Sequence, residues 1–129
     1  MNRDDFIEAF YYVLEQAIIF SQKARREGLL ALEKMLDHEK INNRDIFDYG
    51  MQFAIDGTDY DIIREIVLRV INQEKDENLH LLKQIQLEAI LSILVGDNPR
   101  IIAIKLNSFT DIPLIDLRYR KLLGDYSLL

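Results

Sequence analysis

The two histidines are the first side chains in this sequence that could bind a metal or transfer a proton. His38 and His80 lie far apart, and neither has a second ligand at the spacing that metal sites use. The chain has no cysteine, so it can form neither a disulfide nor a thiolate metal site. We interpret both histidines as surface residues, and we predict no metal site and no cofactor.

The acidic segment DGTDYD is the second place where chemistry could arise. Its carboxylates, Asp56, Asp59 and Asp61, do not follow the order of a calcium-binding loop, and the distant glutamate of such a loop is missing. Helix capping explains these residues better. The sequence also lacks a nucleophile elbow, a Gly-rich phosphate loop and a Ser-His-acid set. We therefore predict that the protein is not an enzyme.

Opposite charges flank a glycine in the segment KARREGLLALE (23–33). Arg25 and Arg26 precede Gly28, and Glu33 follows it. On one continuous helix, Arg25 and Glu33 would lie about 100° and about 180° from the apolar stripe and about 12 Å apart along the axis. At that separation they cannot pair with each other. The three charged side chains form either a solvated helix face or a surface that binds a partner protein.

The composition narrows the classes of function. The 129 residues are 49% hydrophobic and 29% charged, which is typical of one globular domain. The net charge of −6 argues against a nucleic-acid partner, because phosphate binding needs a basic surface. The acidic N-terminus does not resemble a signal peptide. The most apolar stretch, residues 85–96, has about half of the ~20 residues that a membrane span needs, so we predict no membrane insertion.

Apolar residues recur every three or four positions over the first 36 residues, which predicts one long N-terminal helix. Gly28 falls within this apolar stripe. A glycine in a helix interior costs about 1 kcal/mol relative to alanine, so we interpret Gly28 as a point where another helix approaches closely. Leu29 and Leu30 lie off the stripe and are either additional core or a partner surface.

The rest of the sequence predicts about five shorter helices. A polar break at 38–45 precedes a helix that stops near Gly57. Further helices follow, one of them from about 78 to 95, and Pro99 occupies the first position of the next. No stretch alternates as a strand does. We predict an all-α fold, a compact helical bundle in which residues 1–129 form a single domain.

Three blocks of the sequence resemble the flagellar motor stator A-subunit (MotA-like) family. The first is KARREGLLALE, which resembles the start of that family's cytoplasmic domain. The others are GMQFAIDGTDYDIIREIV and ILVGDNPRIIAIKLNSF, similar to the element that follows and to the C-terminal cytoplasmic segment. By this resemblance, residues 1–71 correspond roughly to the loop after the second membrane span and residues 79–112 to the C-terminal segment. The membrane spans themselves are missing, so ion conduction is not implied.

The resemblance implies a non-enzymatic protein-interaction module at the flagellar motor. In the family, charges on the stator complement charges on the rotor switch protein FliG. The matching positions here are Arg25 and Glu33, and Arg26 is a rival for the basic role. The expected partner is a FliG-like switch protein or another motor component, and the expected location is the cytoplasm, near the inner face of the membrane.

Other interpretations stay open at this point. One is a self-associating scaffold or regulatory domain that keeps the fold without the rotor contact and forms a homo-oligomer through the apolar surface of its first helix. Another is an enzyme or small-molecule binder, which a deep pocket with convergent polar groups would favour. A splice of two loops from a longer membrane protein is a further alternative.

Overall fold

The computed structural model describes residues 1–129 and contains helices without strands, which confirms the predicted all-α class and the long N-terminal helix. Seven α-helices and one 3₁₀ helix follow in chain order: α1 (Arg3–Glu27), the 3₁₀ helix (Leu29–Met35), α2 (His38–Asn42), α3 (Ile46–Ile55), α4 (Tyr60–Ile71), α5 (Glu77–Leu94), α6 (Pro99–Asn107) and α7 (Leu117–Asp125). None of these helices combines the length and the hydropathy that crossing a bilayer requires.

Helices α1 and α5 form the centre of the molecule. Helix α1 packs against α5, α6 and the 3₁₀ helix, and α5 also packs against α3, α4 and α6. The 31 buried hydrophobic side chains form one cluster. Phe10, Leu14 and Ile18 of α1 are completely buried in it, and their spacing of four residues places them on one face of that helix.

The long helix ends earlier than the sequence predicts. Gly28 is its C-cap, with φ 89° and ψ 163°, and the Gly28 N–H donates to the carbonyl oxygen of Ala24 at 2.7 Å. This backbone conformation is open essentially to glycine alone. The interpretation of Gly28 as a point of close helix approach is wrong, because a Cβ at this position would meet no heavy atom within 4 Å.

The predicted polar break at 38–45 contains a short helix, α2. Its N-cap is Asp37, whose carboxylate accepts hydrogen bonds from the backbone N–H groups of Glu39 and Lys40. A five-residue helix has too few turns to show an apolar period, and none of its residues is buried. The apolar pattern of the sequence therefore gave no indication of α2.

A close approach of two helices does occur, at a different glycine. Gly50 of α3 faces α5, and a Cβ added there would overlap Cδ1 of Ile90. Ile90 is completely buried, so the missing side chain of Gly50 lets the two helices pack together.

Helix α7 is attached to α1 through polar and aromatic contacts. The guanidinium of Arg118 donates to both carboxylate oxygens of Glu8, at 2.6 and 2.8 Å, and lies 4.3 Å from the ring centroid of Tyr11. The Tyr11 hydroxyl donates to Asp116 at 3.0 Å. Asp116 is also the N-cap of α7, so the same carboxylate starts the helix and connects it to α1.

Candidate functional site

Arg25 and Arg26 lie in the last turn of α1, where both side chains are exposed. Basic side chains are favourable at this end of a helix, because the unpaired carbonyl groups there carry partial negative charge. Nη1 of Arg25 donates to the carbonyl oxygen of Gly96 at 3.4 Å, a long hydrogen bond to the turn between α5 and α6. Arg26 has no hydrogen-bond or ion-pair partner, so its charge is available to another molecule.

Glu33 lies in the 3₁₀ helix, is exposed and forms no ion pair. The prediction that it shares a continuous helix with Arg25 is wrong, because α1 ends at Gly28. The separation of about 12 Å between Arg25 and Glu33, which assumes one continuous helix, therefore does not apply to this structure. The structure does place all three predicted charged residues at the surface.

The two leucines that the sequence left undecided have different environments. Leu29 is half-buried and packs against the hydrophobic core, whereas the side chain of Leu30 is 75% exposed. We call the exposed group Arg25, Arg26, Leu30 and Glu33 the charged corner. It combines charges of both signs with one accessible aliphatic side chain.

The acidic residue at the end of α1, Glu27, forms an ion pair with Lys23 and has only a weaker electrostatic interaction with Arg26. Nζ of Lys23 donates to Glu27 at 3.1 Å, and this hydrogen bond lowers the pKa of the Glu27 carboxyl. Glu27 therefore pairs with Lys23 rather than with Arg25 or Arg26, as expected for residues four apart on a helix.

A compact polar network holds the turn that Arg25 touches. Asp97 accepts hydrogen bonds from Nζ of Lys105 and from the hydroxyl of Ser92, each at 2.5 Å. These contacts, with the Lys105 bond the largest cause, hold the pKa of the Asp97 carboxyl below its usual range. Sequence reasoning missed this network, because the three residues lie on α5, α6 and the turn between them and have no local motif.

The two remaining predicted structural residues lie at helix ends. Gly57 directly follows Asp56, the C-cap of α3, and has φ 83°. Pro99 is the first residue of α6 and follows the N-cap Asn98, whose side chain accepts from the Arg100 N–H at 2.8 Å. Both positions set where helices end or begin and lie outside the charged corner.

The largest concave surface lies between α1 and α7 and has a volume of about 390 Å³. Its charged side chains already have partners: Arg118 binds Glu8, Lys121 binds Asp125 at 3.1 Å, and Glu15 accepts from the Tyr126 hydroxyl at 3.0 Å. No three or more His, Cys, Asp or Glu side chains converge at a geometry that could hold a metal ion.

Comparison with known proteins finds one informative similarity. The chain is 33% identical over 66 residues to Motility protein A of Borreliella burgdorferi, a match that covers 51% of this chain and 24% of that protein. The match thus spans about a quarter of the length of the relative. No protein-family model and no solved structure matches the chain. The similarity supports a MotA-like relationship and suggests a motility-related role.

Proposed function

We propose that the protein is a non-enzymatic interaction module that binds a rotor switch protein of the FliG type, or another motor component, through the charged corner. The observation that carries this proposal is the state of the corner's charges. Arg26 and Glu33 are exposed without an ion-pair partner, and Arg25 contacts only a backbone carbonyl. Of the eight ion pairs in the molecule, none uses these three residues.

Unpaired surface charges favour a role in encounter and orientation. Complementary charges raise association rates and exclude wrong partners, and they do this without a large hydrophobic interface. The two arginines lie at the end of α1, and Glu33 lies on the 3₁₀ helix beside the exposed Lys34. A partner would therefore meet positive charge at the end of α1 and charges of both signs on the 3₁₀ helix. Leu30 supplies an apolar group that such a partner can bury.

The resemblance to the stator family and the similarity to a motility protein support this choice of partner. In the resemblance, Arg25 and Glu33 match the positions where the family's stator meets the rotor. A motility-related binding module is consistent with both observations.

The test measures binding of a purified FliG-type switch protein to the immobilised chain by biolayer interferometry at low and at moderate salt. The double variant Arg25→Glu, Glu33→Lys reverses both charges while preserving the net charge. We expect its association rate constant to fall by roughly tenfold at low salt, and the difference to shrink as salt screens the charges.

The matched control is Arg64→Glu, which changes an exposed, unpaired arginine on α4. It should bind as the wild-type chain does, apart from a small change from net charge. Circular dichroism checks that each variant keeps its helix content. Unchanged binding by the double variant, or an equal loss in the control, would contradict the proposed contact.

A further inference from the structure

The turn between α5 and α6, residues 95–98, lies against the end of α1 that carries the charged corner. Nη1 of Arg25 donates to the carbonyl oxygen of Gly96 at 3.4 Å, although the two residues are 71 positions apart in the chain. This contact joins two segments that the sequence singles out separately, KARREGLLALE and ILVGDNPRIIAIKLNSF. A partner that covers the Arg25 guanidinium therefore lies within reach of the α5–α6 turn.

The α5–α6 turn exposes an aliphatic residue directly beside this contact. Val95 is the C-cap of α5 and is 57% exposed. It precedes Gly96, and because consecutive Cα atoms are about 3.8 Å apart, it lies next to the carbonyl group that Arg25 binds. An isolated exposed aliphatic residue needs no explanation, but one that adjoins a charged binding surface adds apolar area to that surface.

Hydrogen bonds from the backbone and from one carboxylate hold the α5–α6 turn. Gly96 has φ 77°, its N–H donates to the carbonyl oxygen of Ile93 at 3.1 Å, and the Asp97 N–H donates to that of Ser92 at 3.1 Å. A glycine in the left-handed region closes a helix with this pair of bonds. The Asp97 carboxylate also binds the Ser92 hydroxyl and Nζ of Lys105, each at 2.5 Å. The Asp97 side chain therefore connects the end of α5 to α6 on either side of the Gly96 carbonyl.

Both members of the ion pair across the turn are charged at neutral pH. The hydrogen bond from Lys105 is the largest cause that lowers the pKa of the Asp97 carboxyl. The same bond is the largest cause that raises the pKa of the Lys105 ammonium. A hydrogen bond between two charged groups is stronger than one between neutral groups, so this pair stabilises one position of the turn.

A fixed turn limits the orientations of Arg25. A side chain that is ordered before association loses less conformational entropy when a partner binds it. A guanidinium group has five N–H donors, and the bond to Gly96 uses one of those on Arg25. The remaining donors stay available for a carboxylate of a partner.

We propose that the α5–α6 turn is part of the binding surface at the charged corner, with Val95 as an apolar contact and Asp97 as a positioning residue. This inference rests on the function proposed above and specifies the surface of the partner. That surface carries a carboxylate that meets Arg25 and, beside it, an apolar group that covers Val95. Asp97 does not touch the partner and acts through Gly96 and Arg25.

The experiment measures the dissociation constant of the FliG-type switch protein for variants of the turn by biolayer interferometry. Val95→Ser should weaken binding roughly threefold to tenfold, mainly through faster dissociation, because the partner then buries less apolar surface. The matched control is Ile115→Ser, at an aliphatic residue that is 76% exposed. The next residue, Asp116, accepts from Tyr11, which lies about 21 Å along α1 from Arg25. The control should bind as the wild type does.

Asp97→Ala tests the positioning role in two backgrounds. It removes the bonds to Lys105 and Ser92, so binding should weaken roughly threefold to fivefold in the chain that keeps Arg25. In the background Arg25→Gln, the same change should have no further effect, whereas a general loss of structure would weaken binding equally in both backgrounds. Asp111→Ala, which removes the carboxylate that Arg3 binds, is the control for the lost negative charge and should bind normally.

A second variant covers the case in which Asp97→Ala does not fold. Lys105→Met breaks the same ion pair from α6 and should weaken binding in the same way, again only in the chain that keeps Arg25. Circular dichroism at the temperature of the binding measurement checks the helix content of every variant.

The outcomes separate this inference from the proposed function. If the wild-type chain does not bind the switch protein, both are wrong. If it binds and the charge reversal at Arg25 and Glu33 weakens binding, but Val95→Ser and Asp97→Ala bind as the wild type does, the proposed function stands and this inference is overturned. An equal loss in Ile115→Ser, or a full effect of Asp97→Ala in the Arg25→Gln background, would overturn it as well.

Discussion

Gly28 decides where the positive and negative parts of the charged corner lie. With φ 89° and ψ 163°, it ends α1 immediately after Arg25 and Arg26 and passes the chain to the 3₁₀ helix that carries Glu33. A residue with a side chain at this position would be strained, because its Cβ clashes with its own backbone in this region. The glycine therefore positions the charges through the backbone and not through packing.

Replacing Gly28 with alanine should lower the free energy of unfolding by about 1–3 kcal/mol. The space around the position is open, so the loss comes from backbone strain alone. Urea denaturation followed by circular dichroism measures it. The matched control is Gly124→Ala on α7, where a Cβ would lie 3.5 Å from Leu129 at an ordinary contact distance. The control should be neutral or slightly stabilising, and a neutral Gly28→Ala would show that the strain is absent.

At the scale of the elements, the α3–α5 contact depends on Gly50 and Ile90. A β-carbon at Gly50 would overlap Cδ1 of Ile90, which is completely buried. Helix α5 also packs against α1 and α4. A displacement of α5 at this contact would therefore also disturb its packing against those two helices. The close packing of a helical interior makes such a contact sensitive to a single methyl group.

A double-mutant cycle at these two positions should show positive coupling. Gly50→Ala should destabilise the fold by about 1–3 kcal/mol through overpacking, and Ile90→Val by about 0.5–1.5 kcal/mol through a lost methyl group. In the double variant, the removed Cδ1 makes room for the added methyl. We expect its loss of stability to be smaller than the sum by more than about 0.5 kcal/mol. Strict additivity in urea denaturation would contradict the proposed contact.

For the whole molecule, ionised carboxylates stabilise the fold at many points of the surface. The pKa is lowered in seven of them: Glu8, Glu27, Glu74, Asp76, Asp97, Asp111 and Asp116. In six, the largest cause is a hydrogen bond from a cationic side chain or the N-terminal amine, and in Asp116 it is the backbone N–H of Tyr119. At the other end of the pH scale, burial raises the pKa of Tyr11 to about 12.

These shifts predict a stability plateau bounded by acid and by base. The carboxylates stabilise the fold above their unfolded-state pKa values, about 3.9 for Asp and about 4.3 for Glu, and lose that contribution as the pH falls through their lower folded-state values. Tyr11 contributes below its unfolded-state pKa of about 10, and this contribution is lost as the pH rises toward 12. Urea midpoints measured from pH 2 to 11 should therefore be highest between roughly 5 and 9.

The variant Asp97→Asn isolates one contribution to the acid limb. It cannot ionise, so its stability at neutral pH should be lower than that of the wild type, and its further loss on acidification should be smaller. Asp4→Asn changes an exposed acid at the start of α1 and serves as the comparison. An acid limb in Asp97→Asn as steep as that of the wild type would show that the Lys105 and Ser92 contacts do not stabilise the ionised form.

Much of the architecture follows from local sequence. The three- and four-residue period of α1 and the apolar runs of α4 and α5 predict helices, because such a period places apolar side chains on one face. Gly57 and Pro99 predict helix ends through backbone restrictions that need no tertiary context. The short helix α2 was missed because its five residues are too few to show a period. The exposure of Arg25 and Glu33 was predicted from their angles on one continuous helix, and that helix ends at Gly28 before it reaches Glu33.

The sequence by itself thus determined the helical class, the helix ends at Gly57 and Pro99 and the approximate bounds of α5, since these depend on periodicity and φ restrictions. The tertiary structure decided which glycine permits close approach, because that role depends on the side chain opposite, Ile90 at Gly50 and none at Gly28. It also decided that Lys105 and Ser92 meet Asp97 and that Arg25 contacts Gly96. Such groupings require the positions of separate helices relative to one another, and no local pattern encodes them.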